Sequence, residues 1–316
     1  MKRIFGYSAV VVVNCALILA TMMAMKGVLL AGVGATGAQF LKISPSARAS
    51  AMGDAAGAIS DDVFAIFTNP AGLAALEKAE LGATYISYFA DVNYGFIGYT
   101  DPATRAGAVG FGLTYLIADK FEKRLLTEEK IGEFNAKDMA LSVSYAKKDA
   151  APSVLEALDV GGTLRLISSE IDQVTAYTVA LDAGAIYRAN ESLSVGVALQ
   201  NISPGLKFKE VTDNLPLNLK LAGAYKFSPK VKAALDINEY IIDSKFYASC
   251  GAEYTPLENL AIRLGYKYGY DTASLGSIVG ITGGVGFSMW GAALDYAFVP
   301  FGDLGDTHRV SLSLKF

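Results

Sequence analysis

The lone histidine, His308, follows Asp306 by two residues, a spacing at which a carboxylate could orient an imidazole for acid–base or nucleophilic work. Such a pair needs a nucleophile within hydrogen-bond reach, and no motif in the chain marks one. Metal ligation by nitrogen and sulfur needs several His or Cys side chains. This chain has one His and two Cys, Cys15 and Cys250. Asp61 and Asp62 lack the further oxygen ligands of a calcium loop and read as a turn or helix cap. The glycine run Gly280–Gly286 has no lysine and no strand-to-helix setting, so it is a poor phosphate loop. Glycines in a strand more often let another backbone come close. The sequence therefore points to a protein that is no enzyme and has no cofactor and no metal site.

The remaining polar residues of interest are single charges set opposite apolar runs: Arg165, Asp182, Lys220, Asp236, Glu253, Arg263, Lys267 and Asp295. The stretch Tyr177–Tyr187 shows the pattern. Tyr177, Val179, Leu181, Ala183, Ala185 and Tyr187 share one face of a strand, and Thr178, Asp182 and Gly184 the other. Leu215, Leu217, Leu219 and Leu221 lead likewise to Tyr225 and Phe227, opposite Asn218, Lys220 and Lys226. Leu260, Ile262 and Leu264 run into Tyr266, Tyr268 and Tyr270, opposite Arg263 and Lys267. Trp290, Ala292, Leu294, Tyr296 and Phe298 lie opposite Asp295. Strands of about ten residues with an apolar face and aromatic ends suit a bilayer, whose core leaves no water for unpaired backbone groups. Such a sheet must close.

Composition agrees. The chain of 316 residues is 52% hydrophobic and 18% charged, yet past residue 35 it holds no apolar run of the roughly 18 residues that a helical span needs. A net charge of −4 with scattered Lys and Arg excludes a nucleic-acid partner. Turn-forming clusters divide residues 79–316 into about 14 strands, the even number expected of a single-chain outer-membrane barrel. The first strand is placed at 80–90 and the last at 307–316, with others at 214–228, 258–269, 277–288 and 290–300. Longer connections are expected near 119–135, 149–158, 203–213 and 300–306. The competing fold, a soluble β-sandwich or propeller, lacks the 40–50-residue repeat of a propeller, and a sandwich does not explain strands ending in tyrosine. The final strand carries Val310, Leu312, Leu314 and Phe316 on one face, which resembles the C-terminal signal read by the bacterial barrel-assembly machinery.

Residues 1–35 read as a secretory signal: Lys2 and Arg3, an uncharged stretch from Ile4 to Met25, then the small residues Val33-Gly-Ala35 ahead of Thr36. The long apolar run also fits an uncleaved anchor. Cleavage would leave Cys250 alone, so no disulfide framework is expected. Residues 36–78 do not alternate. Ser44-Pro45 and Asn69-Pro70 read as helical starts, a cap followed by proline where no N–H is needed. A barrel of this size has a lumen too wide for its own side chains to fill. The small-residue segment 36–78 is therefore expected inside it as a hatch, with Asp61, Asp62, Asn69, Pro70, Ala71 and Gly72 as its marked residues.

Gly37–Ile43, Ala47-Arg48, Ala51–Gly53, Ser60–Asp62 and Asn69–Leu73 stand in an order that resembles the PorV/PorQ family of outer-membrane proteins. Leu199–Asn201, Leu215–Leu217 and Asp295–His308 extend the resemblance over the mature chain. That family is similar in fold to the fatty-acid transporter FadL, whose hatch carries an Asn-Pro-Ala element. The resemblance implies an exported 14-stranded barrel in the bacterial outer membrane, bounded by its lipid. It leaves two functions open: binding a secretion-system protein, or passing hydrophobic small molecules. A purely structural role is the third reading. The eight inward charges would pair with one another or with the hatch, or line a permeant path.

Overall fold

A computed structural model describes residues 35–88, 92–104, 106–124, 129–152, 155–270 and 272–316. The expected signal segment 1–35 lies outside the described residues, apart from Ala35. The alternating chain forms strands β1 (Glu80–Ser87), β2 (Val92–Thr104), β3 (Gly107–Arg124), β4 (Lys130–Lys147), β5 (Leu158–Ile171), β6 (Val174–Arg188) and β7 (Leu193–Ile202). A small hairpin, β8 (Leu206–Phe208) and β9 (Val211–Asp213), follows. Then come β10 (Asn218–Ser228), β11 (Val231–Tyr240), β12 (Lys245–Leu257), β13 (Leu260–Tyr268), β14 (Ile281–Met289), β15 (Ala292–Pro300) and β16 (Asp306–Lys315). All but β8 and β9 join a closed antiparallel barrel of 14 strands, sealed where β1 pairs with β16 from Glu80↔Lys315 to Ser87↔His308. No helix among the described residues is long and apolar enough to cross a membrane.

Burial follows the two-residue period, as on β1, where buried and exposed positions alternate without a break. Leu164, Leu166, Val179, Leu264 and Leu312 are exposed on the outer wall. A belt of such residues is stable only against lipid. One rim carries the short turns at 189–192, 229–230, 258–259 and 290–291 and the longer β4–β5 connection, together with the C-terminus and the start of β1. The other carries the longer connections 203–217 and 269–280. In outer-membrane barrels the short turns face the periplasm.

Several expectations are corrected here. Residues 119–124 and 130–135 are strand and no loop: β3 and β4 stay paired there, with Phe121 opposite Phe134, beyond where β2 and β5 stop pairing with them. Part of the β3–β4 tip lies outside the described residues, as does the end of the strand placed at 80–90, since β1 closes at Ser87. The strand expected at 214–228 starts only at Asn218, and Leu215 is buried in the interior. The strand placed at 277–288 begins at Ile281. Tyr270 leaves the lipid face because Gly269, at φ +116°, turns the chain and sends its ring inward against Tyr247 and Phe301. Trp290 sits in the β14–β15 turn, 90% exposed. The connection 203–213 contains the β8–β9 hairpin, whose Leu206 is fully buried against Phe40 and Leu41.

Residues 36–76 run through the barrel as short turns: Gln39–Lys42, Ala47–Ala51, Ala65–Thr68 and Pro70–Ala75. They fit because the strands facing them carry glycine. A Cβ on Gly265 would lie 2.2 Å from the Gly53 nitrogen, and one on Gly161 would lie 2.5 Å from the Pro70 carbonyl carbon. Gly284, from the glycine run, likewise faces Ala51. Side chains at these positions would push the two backbones apart.

Candidate functional site

The inner segment meets the wall in two chemically different halves. Residues 47–62 face β10–β16 through polar and charged contacts, with small apolar clusters beside them: Met52, Ala55 and Ala58 against Ala222, Ala224 and Ala234, and Ala47 and Ala51 against Ala297. The helix Ala47–Ala51 starts with Ser46 as its cap, Oγ accepting from Ala49 N at 3.1 Å. The expected cap, Ser44, lies two residues too early; Pro45 thus precedes the cap, and its fixed φ holds the extended approach. The Ala47 N–H donates to Ser311 Oγ at 2.9 Å, and Thr282 Oγ1 donates to Ala51 O while accepting from Gly53 N. Arg309 donates to Ser50 Oγ at 2.7 Å.

Arg48 is the hub of this half. Its Nε donates to Glu253 Oε2 at 2.9 Å and its Nη1 to Asp61 Oδ1 at 2.5 Å, with Asp62 at 3.7 Å. Arg263 holds the same Glu253 oxygen at 2.8 Å and reaches Asp295 at 2.6 Å. Burial works against the Arg48 cation, but Asp61, Glu253 and Asp62 outweigh it and hold its pKa well above the usual value. Asp54 meets Lys267 at 2.7 Å. Burial penalises that carboxylate too, yet Lys267 and Arg309 bring it down to about 2. Asp62 goes the other way: burial, with Asp61, Glu80 and Asp295 nearby, outweighs Arg48 and lifts it to about 7.

Residues 63–76 face β1–β6 through apolar packing. Val63, Phe64, Ile66 and Leu73 are buried with Phe96, Ala108 and Ala146 of the wall. Between the halves lies a polar seam. Asn69 caps the turn Pro70–Ala75, its Oδ1 accepting from Ala71 N at 3.2 Å and its Nδ2 donating to Gly57 O at 3.0 Å. Pro70 occupies the first helical position, and Ala71 and Gly72 are buried behind it. Asp62 Oδ1 accepts from Phe64 N, the cap-like contact expected of the Asp pair. Gln200 and Arg165 donate to the carbonyls of Phe67 and Ile66, which end the preceding helix.

All eight charges expected on the inner face project inward. Arg165 pairs with Asp182 at 2.6 Å, and Asp182 also accepts from Asn201 N where β7 bulges against β6. Asp236 accepts from the N–H groups of Ala56 and Gly57. Glu253, Arg263, Lys267 and Asp295 belong to the Arg48 and Asp54 networks. Lys220 is buried, and among the described residues no ion pair or hydrogen bond of its ammonium is formed. Val310, Leu312 and Leu314 point outward on β16, and Phe316 follows the strand and stacks on Tyr99. His308 also points outward, its Nδ1 2.7 Å from the Tyr296 hydroxyl. Sequence reasoning gave no role to Asp54 or Glu80, and named Arg48 and Gln200 only within the motifs that carry the family resemblance. Arg48 was the one legible signal among them, a lone cation in a run of small residues.

At the outer rim Asp243 accepts from Thr36 Oγ1 and from Lys42 Nζ at 2.7 Å. Gly37 N donates to Asn214 O. Two cavities open toward the short-turn rim. One, of about 340 Å³, lies between Ser60, Arg188 and Lys226. The other, of about 180 Å³, lies between Arg48, Glu80 and Lys315.

The family described as type IX secretion system protein PorV matches residues 31–244. The toluene transporter TodX of Pseudomonas putida superposes with a TM-score of 0.62 at 13% identity, covering 90% of this chain and 97% of that one. The toluene transporter TbuX of Ralstonia pickettii gives 0.58 at 13% identity, over 87% and 98% of the two chains. A FadL homologue from Pseudomonas aeruginosa gives 0.57 at 12% identity, over 86% and 98%. At these identities the likeness is one of fold. No curated protein sequence matches the chain.

Proposed function

The chain belongs to the PorV family of type IX secretion system proteins, and on that premise we propose that it serves secretion or assembly at the outer membrane by binding a partner protein, without catalysing a reaction. The observation that carries this reading is an interior occupied by its own segment. Residues 36–76 are tied to β16, β13, β12 and β6 by the contacts of Ala47, Asp54, Arg48 and Asn69. A barrel filled this way works through its rims and outer wall, and the β3–β4 hairpin is one such surface. Affinity purification from native membranes in mild detergent should recover a stoichiometric partner. Repeated recovery of the lone barrel would overturn the reading.

The second reading, passive passage of hydrophobic compounds, draws support from one feature. Below the outer rim, Phe40, Leu41, Ile86, Tyr94 and Ile167 form a buried apolar cluster between the segment and the wall. Structural neighbours include toluene transporters. If the segment moves away from the wall, Glu253→Gln, which removes one of the carboxylates that hold Arg48, should raise the flux of a hydrophobic dye into proteoliposomes. Unchanged flux would remove this reading.

A further inference from the structure

Lys220 is the inner cation that the networks above leave unmatched. It projects inward from β10 and is 8% exposed, and among the described residues its ammonium has neither a hydrogen bond nor an ion pair. The carboxylates around it are engaged elsewhere. Asp236, diagonal to it across the β10–β11 pair, accepts at Oδ2 from the N–H groups of Ala56 and Gly57. Asp182 is paired with Arg165, and Asp54 with Lys267. A buried ammonium without an acceptor is strongly disfavoured unless something supplies one.

The Lys220 nitrogen is not sealed in by packing; it keeps open surface, and the residue lines a cavity of about 30 Å³ between the inner segment and the wall. Leu41, Lys42, Asp54 and Phe67 close the cavity on the segment's side. Lys42 and Lys267 line it too, each held by one carboxylate, so three ammonium groups meet Asp54 as the one acid among the lining residues. Asn238, opposite Lys220 in the strand register, also lines it. Its Oδ1 accepts from Asn218, while its Nδ2 donates to no group among the described residues. A free cation and a free amide donor thus border the same small void. A water there would take up a hydrogen bond but leave the charge uncompensated, whereas an anion answers both. At ~10–15 Å³ per water, the space admits one small ion and excludes an alkyl tail.

We propose that this cavity binds a single small monovalent anion, of halide or formate size, with Lys220 Nζ as its charged ligand and Asn238 Nδ2 as a neutral donor. Half of the enclosure belongs to residues 41–67, so the ion is held only while the segment is docked, and its binding stabilises that state by mass action. The site lies within the chain itself and stands whether or not a partner protein is recovered.

The test follows thermal unfolding and protease cleavage within residues 36–76 of the purified full chain in detergent. Sodium gluconate, too large for the cavity, is exchanged for chloride, bromide or formate at constant ionic strength. Saturable stabilisation and slower cleavage are expected with the small anions. Indifference to the anion, the behaviour of a cavity that holds only water, would overturn the proposal, as would a response to hexanoate without one to chloride or formate. Lys220→Met keeps the side chain's stem but removes the ammonium, and should weaken the apparent affinity by about tenfold or more. Lys226→Met, at an exposed position on the same strand, should leave it unchanged. An undiminished response in Lys220→Met, or an equal loss in Lys226→Met, counts against the site. If Lys220→Met does not fold, bromide-soaked crystals of the unaltered chain decide: an anomalous peak at the Lys220 nitrogen is expected, and its absence overturns the assignment.

Discussion

The two halves of the interior interface are built on different physics. Residues 47–62 are held against β10–β16 chiefly by ion pairs and charge-assisted hydrogen bonds centred on Arg48, with only Met52 and small alanines packed beside them. Residues 63–76 are held against β1–β6 by apolar burial around Leu73, Val63 and Phe96. The first kind gains little net energy when intact but costs much when one partner is lost, since a charge is stranded in a dry site. The second is proportional to area and insensitive to pH. The inner segment is thus fastened by a bond that charge can undo on one side and by one that it cannot on the other. Motion, if it occurs, should start at the charged half and pivot on the apolar half.

That contrast can be broken or sharpened by experiment. The largest effect is expected from Glu253→Gln, which takes one carboxylate from two buried cations at once and leaves Arg48 to Asp61 and Asp62 and Arg263 to Asp295. It should destabilise the barrel by about 3–5 kcal/mol and expose residues 47–62, not 63–76, to protease. Equal protection of both stretches would refute the asymmetry. Leu73→Ala, at a fully buried site of the apolar half, should cost about 3 kcal/mol with no change in pH dependence. Asn69→Ala, in the seam, removes a cap and a donor to Gly57 O. A loss of about 1–2 kcal/mol in thermal unfolding is expected.

The smallest effect concerns pH. Asp62 has a folded pKa of about 7, above its ordinary 3.8, so the folded state binds the proton more tightly. Its contribution to stability is full below pH ~4 and is lost as pH rises toward 7. Asp62→Asn should flatten that slope in melts taken from pH 5 to 8. An unchanged slope would take Asp62 out of the charged half's response.

Much of the barrel could be read in advance because lipid imposes a period of two that each strand shows by itself. Tyr177–Tyr187 alone displays both faces, and the inward direction of Asp182 and Lys267 follows from parity. Parity fails where it has no repeat to act on. Leu215, Tyr270 and Trp290 sit just outside strand ends, where one turn residue decides which way a side chain goes. The β3–β4 extension reads as a loop because beyond the membrane both faces of a strand meet water and alternation ceases.

The sequence by itself determined the closed sheet, its outer wall and the presence of a small-residue segment to fill it, since these follow from local spacing against an apolar solvent. It also marked Asn69-Pro70, because caps and first-turn prolines act within a few residues. Only the tertiary structure decided which charges meet. Arg48 and Glu253 are 205 positions apart, and no local rule joins them. The same holds for the glycines of β5 and β13, whose purpose appears only when Pro70 and Gly53 come to lie against them.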